Sequence, residues 1–349
     1  MSPSFTDPAG WSPEMTLAPS RIAAVLVAVV ALATLPLWLT NPYYVNIASQ
    51  ILFWAVFALG LNVLVGYGGL TSLGHAGLFG VSGYAVGLLL ASGQGHLVAI
   101  LAAIVATVLM SALFAVLALR ATGIGFLMIT LALGQILWGL AYRWASLTNG
   151  DNGVNVSRRP APFGVSLVEP SAFYLATFVI FLVCLASMLA FVRSPFGASV
   201  RGTRDQPRRM SALGFNVWLI RFLAFAFSGF WTAIAGLLFV YYNQFISPQV
   251  MALQTSAEVL LMVISGGTAT LAGPVVGAAI VVIMKNVVSA YVERWNMVLG
   301  IIFVLIISFM PEGLVPGSVR LCRAGYRAVC GRVGLTALGK LDVSEEAGR

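Results

Sequence analysis

Apolar residues in this chain come in long blocks separated by short polar stretches, not at the three-to-four-residue spacing of an amphipathic soluble helix. Ten blocks fall at about 21–40, 46–66, 76–92, 97–119, 125–142, 172–192, 218–241, 254–268, 273–291 and 297–311. Most approach the roughly 20 residues an α-helix needs to cross the hydrocarbon core of a bilayer. The pattern predicts an all-α polytopic membrane protein with about ten transmembrane helices. The block at 254–268 is short for a crossing, so a half-helix or a tilted, broken helix is an alternative there. The block at 21–40 begins with Arg21 but is too long for a signal-peptide core and lacks a clear cleavage site, so it reads as a retained first span. Residues 1–20, with Pro3, Pro8, Pro13 and Pro19, read as a disordered lead. Residues 21–315 form one transmembrane domain, and 316–349 a basic cytoplasmic tail.

Composition removes the soluble alternative. Of the residues, 60% are hydrophobic and 9% charged, and the mean hydropathy is +0.96. A soluble domain carries roughly a quarter charged residues, so this chain lacks the polar surface to dissolve. The net charge of +8 does not point to nucleic acid, because the charges sit in short segments between apolar runs, with no basic patch of interleaved aromatics. Their placement instead sets orientation. Arg193, Arg201, Arg204, Arg208 and Arg209 face Asp205 alone in the linker after the sixth block, and Arg320, Arg323, Arg327 and Arg332 mark the tail. Both should be cytoplasmic. Counting ten crossings then puts both termini inside, and the loop 144–170, where Asp151 and Glu169 offset Arg158 and Arg159, outside.

The cysteines carry no motif. Cys184 lies in an apolar run, and Cys322 and Cys330 lie in the tail, away from His75 and His96. No metal site, cofactor site or catalytic constellation is expected, and no Gly-x-x-x-x-Gly-Lys-[Ser/Thr] phosphate loop occurs.

Three segments stand out from the generic pattern. Residues 58–84 carry glycines at 66, 68, 69, 74, 77, 80 and 83, together with Thr71, Ser72 and His75. Close helix packing of the small-residue kind explains such glycines. A broken element lining a polar cavity explains them too, because irregular backbone is tolerated at depth only where protein or water shields it from lipid. Residues 261–277 echo this segment, with Gly266, Gly267 and Leu271 matching Gly68, Gly69 and Leu73. Glycine-interrupted segments in two halves of a chain point to a path through the membrane. Thr71, Ser72, His75, Glu258, Ser265, Gly266 and Gly267 are therefore the candidates for lining it. Glu258, just ahead of the second segment, is either a pathway carboxylate or a carboxylate bonded to a neighbouring helix. Lys285 and Asn286 pose the same question, and sequence does not say whether Lys285 pairs with Glu258. The third segment, 194–216, is too long for a tight turn and holds a short helix ending at Gly214. On charge alone it reads as a solvated positive loop.

Taken in order, several stretches resemble the LivM-type permease subunit of branched-chain amino-acid ABC importers. They are 58–84 with Ser72, Gly74, His75 and Ala76; 130–135 (Thr-Leu-Ala-Leu-Gly-Gln) with 148–153 (Thr-Asn-Gly-Asp-Asn-Gly); and 194–216. Residues 245–248 (Phe-Ile-Ser-Pro), 258–277 and the closing Pro311, Glu312 and Gly313 complete the set. The resemblance covers about 42–315 and makes that region a permease domain. It implies a non-enzymatic subunit in a bacterial cytoplasmic (inner) membrane, with ATP hydrolysis on separate chains. The implied partners are a homologous second permease subunit, two cytosolic ABC ATPase subunits and a periplasmic solute-binding protein. The linker would be the ATPase-coupling loop, with Arg201, Arg204, Asp205, Ala212, Leu213, Gly214 and Asn216 as its residues. Pro207, Arg208, Arg209, Met210 and Ser211 depart from the family's pattern there, which would suit an ATPase with a more acidic groove. Relatives within the class handle urea, short amides or aromatic acids, and an ion-coupled secondary transporter would also show broken segments and a buried carboxylate.

Overall fold

The computed structural model describes residues 30–38, 41–156, 167–291, 294–310, 313–318 and 320. Residues 1–29, and with them the N-terminal lead and the start of the first expected span, lie outside this range, as does most of the tail. Eleven helices of six or more residues organise the described residues. They are α1 (Pro42–Asn62), α2 (His75–Ala91), α3 (His96–Ala118), α4 (Ile124–Arg143), α5 (Pro170–Arg193), α6 (Pro195–Asp205), α7 (Pro207–Ala212), α8 (Val217–Asn243), α9 (Leu253–Gly266), α10 (Ala272–Val287) and α11 (Trp295–Phe309). A two-residue strand, β1 (Val154–Asn155), pairs antiparallel with β2 (Phe245–Ile246), Val154 opposite Ile246.

Among the described residues, six helical stretches are long and apolar enough to cross a membrane: Pro42–Tyr67, His96–Ala118, Ile124–Arg143, Pro170–Arg193, Val217–Asn243 and Ala272–Ala290. Shorter apolar helices cover His75–Ala91, Leu253–Gly266 and Met297–Ile306. The protein is thus a multi-pass helical membrane protein. Its 14-residue α9 is about 21 Å long, short of the roughly 30 Å hydrocarbon core, as the brevity of its apolar block suggested.

The bundle is sorted by burial. α1 and α8 are central, with 78% and 67% of their most apolar windows buried, against 28% for α3 and α4. Peripheral helices expose Leu97, Leu101, Leu109, Ile136 and Val179, the surface expected toward lipid. In the centre, Phe57 stacks on Phe79 at 4.7 Å between ring centroids, and Trp54 on Phe79 at 5.6 Å. Hydroxyls buried in this apolar interior bond mostly to their own helices: Ser49 to Val45, Thr107 to Ala103 and Thr177 to Phe173, all on carbonyls four residues back.

The glycines of 58–84 go with close packing along α2 and with a break in the backbone ahead of it. Gly77 of α2 meets Gly134 and Leu137 of α4, and Gly80 and Gly83 meet Met251 and Ile246, so that face of α2 packs closely because it has no side chains. Upstream, α1 loosens into a π-helical turn (Val63–Tyr67), and the chain then runs without regular structure to His75. Gly69 sits there at φ +65°, a conformation that favours glycine.

Candidate functional site

Two interruptions of the backbone meet at one end of the bundle. The first is the π-turn and irregular stretch between α1 and α2. The second is the link between α9 and α10, where Gly267 adopts φ 120° and Ala269 φ 59°. Asn62, almost fully buried, joins them: its Nδ2 donates to the Thr270 carbonyl at 2.9 Å, and its Oδ1 accepts from Ala269 N–H at 3.1 Å. A carboxamide suits this place because it can satisfy a donor and an acceptor at once. Gly66 lies against Ala269, and Gly266 against the Gly273 carbonyl, too close in each case for a methyl group.

The linker grips the same place. Side-chain caps mark its two ends: Ser194 accepts from Gly197 N–H at 3.0 Å to start α6, and Asn216 accepts from Leu219 N–H at 3.1 Å to start α8. From α6, Arg204 Nη1 donates to the Gly66 carbonyl at 2.5 Å, satisfying a group freed by the π-turn, and its side chain packs over Gly69. Arg201 donates to the Val192 carbonyl at 3.0 Å, and Arg221 of α8 to the Thr203 carbonyl at 2.7 Å. Asp205 lies 3.9 Å from Arg204 on the exposed surface. The helix expected to end at Gly214 is α7, which buries none of its residues. The departing residues 207–211 all lie on it. After it, Gly214 turns the chain at φ +86°, leaving Leu213, Phe215 and Trp218 exposed.

The path candidates divide into separate places. Thr71 is half-buried in the irregular stretch. Ser72 and His75 are buried and linked: the Ser72 hydroxyl lies 2.8 Å from His75 Nδ1, and His75 Nε2 lies 3.1 Å from Ser228 Oγ. Ser228 gives its proton to the Gly60 carbonyl at 2.7 Å, so it accepts from Nε2–H, and the ring is the neutral tautomer with Nδ1 accepting from Ser72. Ser265 is buried, with its hydroxyl unpaired among the described residues. Gly266 and Gly267 form the α9 terminus at the second interruption.

Glu258 lies elsewhere, toward the end of the bundle remote from the linker. There a cavity of about 390 Å³ is walled by Trp54, Phe239, Val250, Gln254, Glu258 and Lys285, among others. Of the seven path candidates, Glu258 is the one on this wall. Its side chain is 9% exposed, that of Lys285 45%, and Lys285 Nζ stands 3.4 Å from Glu258 Oε2. Gln254, one turn earlier on α9, donates to Oε1 at 3.3 Å. This answers the question of pairing that sequence left open. Asn286, beside Lys285, donates to Gln50 Oε1 at 3.0 Å, and Gln50 Nε2 to the Tyr242 hydroxyl at 2.9 Å, a polar chain tying α10, α1 and α8 together. Among the described residues, no three His, Cys, Asp or Glu side chains gather as metal ligands would.

Asn62, Ser228, Gln254 and Gln50 were not singled out from the sequence. Asn62 and Ser228 are polar residues inside apolar blocks, and that isolation was the available signal, whereas Gln50 and Gln254 lie among other polar residues near the starts of theirs.

The sequence profile of the branched-chain amino-acid transport system permease component matches residues 43–307, from the start of α1 nearly to the end of α11. The chain belongs to this family. Permease-family relatives include the high-affinity branched-chain amino-acid transport system permease protein LivM of Salmonella typhimurium, 26% identical over 296 residues, covering 78% of this chain and 70% of the relative. LivM of Escherichia coli K12 is 26% identical over 315 residues, 83% of this chain and 74% of that one. Among solved structures, an inward-facing transporter described as of the metal-chelate ABC type aligns with a TM-score of 0.50 at 16% identity, over 83% of this chain and 99% of its own. That likeness speaks for the permease fold alone.

Proposed function

We propose that this chain is the transmembrane permease subunit of an ATP-driven ABC importer for leucine, isoleucine and valine. The observation that carries the reading is the family match across 43–307, which takes in both interruptions, the linker and the Glu258 cavity. The family implies ATPase and binding-protein partners. In this reading they are two cytosolic ATPases, a homologous second permease and a periplasmic binding protein, in the cytoplasmic membrane of a bacterium. The chain itself is not an enzyme: hydrolysis belongs to the ATPases. The bundle has ten spans with both termini cytoplasmic, so the linker faces the ATPases and the Glu258 cavity faces the binding protein. The coupling-loop residues Arg201, Arg204, Asp205, Ala212, Leu213, Gly214 and Asn216 transmit ATPase movement, and Arg204 carries it to the first interruption at Gly66. Thr71, Ser72, His75, Ser265, Gly266 and Gly267 form and support the element that moves.

The test is reconstitution of the full complex in liposomes with ATP inside. Uptake of radiolabelled leucine that needs both ATP and the binding protein, and that survives an ionophore, is the expected result. Uptake that collapses with the ion gradient would replace the reading with a secondary transporter. ATPase stimulation by the binding protein without leucine uptake would move the substrate to urea, amides or aromatic acids.

A further inference from the structure

We propose that the Glu258–Lys285 cavity is a binding site for the free amino acid within the permease, an inference that rests on the transport reading above. Glu258 receives the α-ammonium, Lys285 receives the α-carboxylate, and the aliphatic side chain lies against Trp54, Phe239 and Val250. Four observations lead to it.

The cavity, at about 390 Å³, falls within the range of small-molecule sites, and its wall joins an apolar part (Trp54, Phe239, Val250) to a polar part of similar extent that includes Gln254, Glu258 and Lys285. Its charges are one acid and one base, contributed by α9 and α10. A zwitterion answers both, whereas an anion or a cation would leave one of them unpaired in a partly desolvated place. The existing pair is loose. At 3.4 and 3.3 Å, the Lys285 and Gln254 contacts to Glu258 are longer than the roughly 2.7–2.9 Å of a well-made charge-assisted bond, so a ligand can exchange for them at small cost. The fourth observation is the aromatic part of the wall. Trp54 stacks on Phe79 and packs edge-on against Phe239 at 6.2 Å, which gives a side chain a fixed apolar surface instead of a mobile one.

The site also makes a stereochemical demand. With the side chain held by Trp54 and Phe239, exchanging the positions of the acid and the base exchanges two substituents at the ligand's α-carbon. The double variant Glu258→Lys with Lys285→Glu keeps an ion pair between α9 and α10 but favours the opposite enantiomer.

The experiment measures binding of tritiated leucine to the assembled transporter in nanodiscs without its binding protein. ATP-driven leucine uptake by the same complex in liposomes, with the binding protein, is measured in parallel. Leucine should bind, while leucinamide and 4-methylpentanoate, each lacking one charge, should compete about tenfold or more weakly. Glu258→Gln and Lys285→Gln should each weaken binding by about as much. The double exchange should reverse which enantiomer of leucine binds more tightly, a change that an ion pair serving only to hold two helices together would not produce. Normal ATP-driven uptake with no leucine binding, with equal competition by the singly charged analogues, or with unchanged enantiomer preference in the double variant would overturn the site and leave the transport function standing. Absence of uptake by the unaltered complex would instead remove the transport reading, and this inference with it.

Discussion

Replacing Asn62 with leucine keeps the branching of the side chain, at a larger volume, and removes both of its bonds to the α9–α10 link. The change leaves Ala269 N–H and the Thr270 carbonyl without their present partner in a partly buried place. A net worth of about 0.5–1.5 kcal/mol for each hydrogen bond puts the loss at about 1–3 kcal/mol. Measurements between membrane helices average nearer 0.6 kcal/mol for each bond, because the unfolded chain also finds partners, which sets the lower end at about 1.2 kcal/mol. The corresponding shift in the unfolding equilibrium is roughly 8-fold to 150-fold. Unfolding the purified protein in mixed micelles with increasing SDS, followed by tryptophan fluorescence, reads this shift directly. Asn62→Ala loses the same bonds and opens a cavity as well, so it should be the less stable of the two. If Asn62→Leu unfolds at the same SDS fraction as the unaltered chain, Asn62 is not the clamp between the two interruptions.

Gly266→Ala would drive a methyl group into the Gly273 carbonyl and should leave little monodisperse protein in size-exclusion chromatography, whereas Gly95→Ala, with open space and an ordinary backbone, should purify normally. Ser228→Ala removes the partner of both the Gly60 carbonyl and His75 Nε2, and should cost about 1–3 kcal/mol in the same SDS titration. Arg204→Met should change stability by less than about 1.5 kcal/mol, because the side chain is half-exposed, yet lower the leucine taken up per ATP hydrolysed. An unchanged uptake-to-hydrolysis ratio in that variant would mean that movement reaches the bundle by another contact.

The sequence was most legible where a single physical rule governs the pattern. Apolar block length located the helices, including the short α9, and glycine spacing located both interruptions. The grouping of arginines marked the linker, though not its division into α6 and α7, because the break at Gln206 and Pro207 lies in a stretch with no apolar periodicity. The site was less legible. Glu258 was visible as a carboxylate in an apolar block, but its pairing with Lys285 depends on how α9 and α10 lie side by side. Ser72, His75 and Ser265 looked like Glu258 in one dimension, as polar groups beside glycines. In three dimensions Ser72 and His75 face Ser228 in the packed interior, while Glu258 faces a cavity. Asn62 was hidden because nothing local distinguishes a carboxamide that caps a distant turn from one that packs against a neighbour.

The clamp between the two interruptions also orders the protein's birth. Asn62 and Thr270 are separated by 208 positions, so at a synthesis rate of roughly 5–20 residues per second the carboxamide precedes its partners by about 10–40 s. During that interval the Asn62 carboxamide lacks its final bonds, a condition that lipid would not relieve. Arg204 arrives earlier, 138 positions after Gly66, and can already hold the Gly66 carbonyl. The first half of the chain is therefore a dependent of the last third, and a chain that stops before α9 never supplies the two backbone groups that Asn62 holds.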